Sequence, residues 1–144
     1  MLVTSAQAVT PPLCSPVYET APVDCPDGSG AFYNAVIEIV SPLHPEEFFP
    51  VIQEIEAAIG RPADRPRNAP RLVDVDFLYA VDMMLLWPNL EVPHPRLRER
   101  RFVLEPLAAI RPDLVITGFK ETVAELLSQL QSPEPPLALV TESW

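Results

Sequence analysis

The sequence predicts an α+β domain in which helices lie against an antiparallel or mixed sheet. Three observations carry that expectation. Apolar residues alternate with period two over 32–41 and again over 71–82, they recur at helical spacing over 45–59 and 121–130, and turn-forming residues punctuate the intervals.

Residues 13–20, LCSPVYET, read as extended. Residues 32–41, FYNAVIEIVS, read as a strand with Tyr33, Ala35, Ile37 and Ile39 on one face and Phe32, Asn34, Val36 and Glu38 on the other. The two segments are expected to pair, and the intervening APVDCPDGSG supplies turn chemistry over more residues than a tight hairpin needs. From Pro45 to Ile59, Phe48, Val51 or Ile52, Ile55 and Ile59 fall at helical spacing, with Pro45, Glu46 and Glu47 as a start signal, Gly60 as a stop and Pro50 as a kink in the first turns. Stretch 61–70 has no hydrophobic period and reads as an arginine-bearing loop. RLVDVDFLYAVD, 71–82, reads as a buried strand: Val73, Val75, Phe77 and Tyr79 form an apolar face, and Leu72, Asp74, Asp76 and Leu78 share the other. An irregular apolar connection with room for a short strand follows over 83–95. A basic turn or helix then leads into FVLEPLAAI, interrupted by Pro106, and ETVAELLSQL sets Val123, Leu126, Leu127 and Leu130 on one helix face. The order is β-β-α-β-α-α. The chain reads as a single domain over 1–144, with 1–12 and 132–144 as candidate tails.

A length of 144 residues and a hydrophobic fraction of 48% suffice for a packed core. The 19 prolines fall between apolar runs and mark rigid turns. Cys14 and Cys25 match no zinc spacing and make a poor disulfide framework, so a reducing cytoplasm is the expected setting. No apolar run approaches the length of a membrane span, and the N-terminal stretch lacks the basic region of a signal peptide. A net charge of −10 argues against nucleic acid or an anionic membrane as partner. Residues 1–60 contain no lysine or arginine, whereas Arg61, Arg65, Arg67 and Arg71 form one cluster and Arg96, Arg98, Arg100 and Arg101 another.

Two acids on one face of an apolar strand stand about 6.5 to 7 Å apart at the backbone, close enough for their carboxylates to share a cation or to hold two about 3.5 to 4 Å apart. Protonation of one acid, or a face that is simply wet, would also accommodate them. The arginine clusters on either side favour a small polyanion carried with a metal, because guanidinium forks match phosphate oxygens. The plainer account is solvated loop charge paired with acids such as Asp64 or Glu99.

GRPADRPRNAPRLVDVDFLYAVD followed by EVPHPRLRERRFVLEPLAAIRPDL resembles the 6-hydroxymethyl-7,8-dihydropterin pyrophosphokinase family. That family carries P-R-x-x-D-x-D on a strand and then V-P-H-P-R-x-x-x-R-x-F-V-L-x-P-L. YETAPV, FYN and IEAAIGR are similar to its earlier motifs, and the resemblance covers roughly residues 15–115. It implies a ferredoxin-like sandwich of a mainly antiparallel sheet with helices packed on it, here lacking the family's first β-α unit, a gap that a homodimer, the C-terminal PLALVTESW folding in as a strand, or a start codon placed further upstream would fill. It also implies transfer of pyrophosphate from ATP to the pterin hydroxymethyl group in folate biosynthesis. Asp74 and Asp76 would hold two Mg²⁺ ions, and Arg61 and Arg71 would spread the charge on the transferred group. Gln53, Arg67, Arg71, His94 and Arg100 would meet the nucleotide, and Thr20, Pro22, Val23, Phe32, Asn34 and Phe102 would line the pterin slot. A relative that binds nucleotide or pterin without turnover is the alternative.

Overall fold

The computed structural model describes residues 2–4, 11–20, 32–60 and 73–144, the first of these as backbone alone. Pro22, Val23, Arg61, Arg67 and Arg71 lie outside the described residues, as does the 61–70 loop.

Strand β1 (Leu2–Thr4) is the first element. The two extended segments after it pair as expected, but each is split, into β2 (Leu13–Cys14) and β3 (Val17–Thr20), and into β4 (Phe32–Asn34) and β5 (Ile37–Val40). Cys14 faces Ile37 while Tyr18 faces Asn34, so three residues on one arm oppose two on the other and a bulge results. The Ser15-Pro16 dipeptide explains it. Pro16 has no N–H to give, and the fully buried Ser15 accepts the Val36 N–H on its hydroxyl at 2.8 Å while donating its own N–H to the Val36 carbonyl at 2.8 Å.

The bulge separates two sheets. In one, β5 lies between β1, which is parallel to it, and β2, which is antiparallel; in the other, β3 lies between β4 and β8 (Ala138–Thr141), both antiparallel. Each stretch expected as a candidate tail therefore holds a sheet strand. Trp144 adds a further tether, its indole N–H donating to the Ser15 carbonyl at 2.8 Å.

Helix α1 (Pro45–Gly60) forms where the spacing predicts it and continues through Pro50. Its buried ridge runs through Pro45, Phe48, Ile52 and Gly60. Ile55 and Ile59, expected on that face, are exposed, because a ridge stepping by four from 48 reaches 52 and then Glu56.

The expected strand over 71–82 is a second correction. Among the described residues, 73–80 carry no sheet ladder, although Phe77, Leu78, Tyr79 and Ala80 are all buried. Hydrophobic patterning dictates burial, whereas a ladder requires a neighbouring backbone in register. Here the segment is held by individual bonds: Val75 N–H donates to Glu56 Oε1 at 2.9 Å, and His94 N–H donates to the Leu78 carbonyl at 2.7 Å. Asp82 follows in the left-handed region, φ 56°, which aspartate tolerates in a turn.

The apolar connection contains a hairpin, β6 (Leu85–Trp87) and β7 (Leu90–Val92), turned at Pro88 and Asn89. A single 3-10 turn, Leu97–Glu99, leads into α2 (Arg101–Ile110), and α3 (Val123–Gln129) starts on a capping box between Thr122 and Glu125. Val36 and Leu78 pack into one core cluster with Leu104 and Leu107 of α2 and Val123 and Leu126 of α3. Ile39 and Phe77, of opposite parity on their segments, pack into a second with Phe48 and Ile52 of α1 and Leu90 and Val92 of β7. The architecture is α+β with mainly antiparallel pairing and helices packed on the sheets, in keeping with the ferredoxin-like expectation.

Candidate active site

Asp74 and Asp76 are exposed while Val75 and Phe77 pack toward α1, so the alternation read from the sequence holds over this stretch and the acids share its wet side. Both acids line two cavities. One, of about 410 Å³, lies between α1 and the β6–β7 hairpin and includes Gln53, Glu56, Trp87, Asn89 and His94 in its walls. The other, of about 190 Å³, is walled by Asn34 and Val36 from the split hairpin and by Phe102 and Val103 at the start of α2. Asp74, Val75 and Asp76 belong to both.

Gln53 and Glu56 are three positions apart on α1 and so share a face. Glu56 uses that position to hold the amide between the two acids. His94 sits against the same segment through its backbone bond to Leu78, and its Nδ1 accepts the Arg96 N–H at 3.1 Å, which leaves Nε2 to carry the proton in the neutral ring. Burial pushes its pKa below the usual 6.5; the Asp76 carboxylate opposes that shift, and the Arg100 and Arg96 guanidinium groups reinforce it.

Arg100 reaches Asp76 Oδ2 at 3.2 Å, and its guanidinium carbon stands 5.3 Å from the Phe102 ring centre. Its neighbours do otherwise. Arg96 pairs with Glu99, Arg98 with Glu121 and Arg101 with Glu105, so among the described residues Arg100 alone of that cluster joins the acids. The plainer account of surface pairing therefore applies to Arg96 and Arg98, whereas the Arg101–Glu105 pair is largely buried.

On the far side, Asn34 Nδ2 donates to Thr20 Oγ1 at 3.0 Å across the β3–β4 pair, in which Thr20 also faces Phe32. The structure thus brings Gln53, Asp74, Asp76 and His94 to one cavity and joins Arg100 to them through Asp76; Asn34 and Phe102 line the second cavity, and Thr20 and Phe32 line a third that shares Phe102 with it. Sequence reasoning missed Trp87 and Asn89, which lie in a connection without readable period and enter the wall because the β6–β7 turn folds over it.

Comparison with known proteins identifies the family. The 7,8-dihydro-6-hydroxymethylpterin-pyrophosphokinase family matches residues 2–112. The chain is 46% identical over 99 residues to the 2-amino-4-hydroxy-6-hydroxymethyldihydropteridine pyrophosphokinase of Methylorubrum extorquens, covering 69% of this chain and 61% of that one. It is 42% identical over 103 residues to the Bacillus subtilis protein of the same name, covering 72% and 60%. With a mitochondrial folate synthesis bifunctional protein of Arabidopsis thaliana it shares 43% over 91 residues, 63% of this chain and 16% of that protein. The chain spans about three fifths of the length of the two bacterial relatives. By the extent of the match and its identity, the chain belongs to the 7,8-dihydro-6-hydroxymethylpterin-pyrophosphokinase family.

Proposed function

We propose that the chain transfers pyrophosphate from ATP to 6-hydroxymethyl-7,8-dihydropterin, a step of folate biosynthesis, and releases AMP. The observation that carries this reading is the sharing of Asp74, Val75 and Asp76 by two cavities. A nucleotide in the larger one and a flat heterocycle set against Phe102, reaching from the smaller one toward the cavity lined by Thr20 and Phe32, would meet at the acids.

In this reading the pterin hydroxyl oxygen bonds to the β-phosphorus, the bond from that phosphorus to the oxygen bridging it to the α-phosphorus breaks, and AMP leaves with that oxygen. No protein nucleophile is needed. Gln53, His94 and Arg100, with Arg67 and Arg71 from the family motif, would orient the nucleotide, and Arg61 and Arg71 would spread charge on the transferred group. Phe32 and Phe102 would flank the heterocycle, Asn34 would read its edge from the position Thr20 holds it in, and Pro22 and Val23 would complete the slot.

The donor set suits magnesium. Exposed carboxylates offer hard oxygen ligands, and magnesium commonly takes one or two carboxylates together with substrate phosphates. Asp74 and Asp76 would hold two Mg²⁺ ions, whose charge would neutralise the phosphates. A homodimer that pairs the 73–80 backbone with a second copy belongs to the same reading, as does a cytoplasmic setting, which the free Cys14 suits.

The test is AMP release from ATP and Mg²⁺ with and without 6-hydroxymethyl-7,8-dihydropterin. Pterin-dependent AMP supports the proposal. Binding of both ligands without AMP points to the non-catalytic relative, and AMP that forms equally without pterin contradicts the substrate.

A further inference from the structure

Residues 132–137, SPEPPL, wall a third cavity. Its volume is about 200 Å³, and it is lined by Glu134, Pro135, Pro136 and Leu137 together with Thr20, Phe32 and Phe102. Those last three are residues that the proposed function sets against the pterin, and Phe102 also borders the cavity that holds Asp74 and Asp76.

This wall is built, not draped. Leu137 N–H donates to Glu105 Oε2 of α2 at 3.2 Å, β8 begins one residue later and pairs with β3, and Glu134 N–H donates to Ser132 Oγ at 3.1 Å. Pro133, Pro135 and Pro136 have fixed φ, so the stretch has little conformational freedom left to lose when a ligand packs on it. Among the described residues the Glu134 carboxylate has no ion-pair partner.

A pterin is a flat fused ring whose pyrimidine edge presents an amino group and a ring N–H side by side. A carboxylate offers two acceptor oxygens to such a pair of parallel donors, and aromatic rings cover the faces. We propose that the 132–137 stretch closes the pterin slot and that Glu134 accepts the paired amino and ring N–H donors, in addition to the contact given to Asn34 above, which makes it a specificity-determining residue. This rests on the function proposed above. Glu19 of β3 lines the same cavity and is the competing acceptor.

The test is calorimetric binding of 6-hydroxymethylpterin and of 6-hydroxymethyllumazine, which carries a carbonyl oxygen where pterin carries the amino group. A non-hydrolysable ATP analogue with Mg²⁺ serves as the reference ligand. The unaltered chain should prefer the pterin. Glu134→Gln should weaken pterin binding by about tenfold, erase the preference over lumazine and change nucleotide binding by less than about twofold. Glu19→Gln should leave the preference in place. Pterin binding by Glu134→Gln equal to that of the unaltered chain, or loss of the preference in Glu19→Gln instead, overturns this inference and leaves the proposed function standing. An unaltered chain that ignores the pterin while binding nucleotide overturns the proposed function and this inference with it.

Discussion

Glu56 Oε1 accepts the backbone N–H of Val75 at 2.9 Å, so a helix side chain holds the amide that lies between Asp74 and Asp76. The bond ties α1 to a segment that has no ladder among the described residues. Glu56→Ala should lower stability by about 1 to 3 kcal/mol, the scale of a half-buried bond to a charged group, and should weaken Mg²⁺-dependent nucleotide binding as the acids lose their register. Glu56→Gln keeps a carbonyl acceptor and should recover most of the stability. Urea midpoints for the two variants check this; equal midpoints for Ala and the unaltered chain would show that the bond holds nothing.

Arg100 competes with any cation for Asp76. Replacing it with methionine removes a half-exposed ion pair, so Mn²⁺ should bind the nucleotide-free variant more tightly by up to about fivefold. ATP affinity should move the opposite way, because a phosphate partner is lost. Opposite signs in two titrations are the signature; a parallel loss in both would mean a local collapse.

His94 is expected to stay neutral at pH 7, with an imidazole titration midpoint below 6.5 by NMR. The folded state resists protonation more than the unfolded chain does. The stability from this group is therefore complete above pH 6.5 and is lost as pH falls from there through the lower folded value. His94→Asn should flatten that part of the stability profile in urea melts. A midpoint above 6.5 would contradict the account.

Tyr79 is buried, and its hydroxyl donates to Glu38 Oε2 at 2.8 Å; Arg111 Nε lies 3.3 Å from the same oxygen, off the line of a hydrogen bond. Burial, and after it the Glu38 carboxylate, push the tyrosine pKa far up. Tyr79→Phe leaves Glu38 short of a donor and should cost about 1 to 3 kcal/mol in chemical denaturation, with little change in nucleotide binding. A loss below about 0.5 kcal/mol would mean that water replaces the hydroxyl.

Local signals were legible where structure is local. The spacing of Phe48 and Ile52, the apolar face of Val123, Leu126, Leu127 and Leu130, and the alternation of Asp74 and Asp76 with Val75 each reappear as read. The 71–82 strand did not, because pairing depends on a neighbour that side-chain period cannot name. Glu56 resisted explanation from sequence for a similar reason: its partner is a backbone amide nineteen positions away. The C-terminal PLALVTESW reads either as a tail or as a strand that folds in; Ala138–Thr141 does form a strand, but against β3 and not beside the 73–80 segment.

The central claim is that Asp74 and Asp76 join metal, nucleotide and pterin. Its most direct test is the affinity of a non-hydrolysable ATP analogue with and without Mg²⁺, for the unaltered chain and for Asp74→Asn with Asp76→Asn. Strong Mg²⁺ dependence is expected in the unaltered chain and its loss in the double variant, with an unchanged thermal melt. An equal Mg²⁺ dependence in both proteins would contradict it.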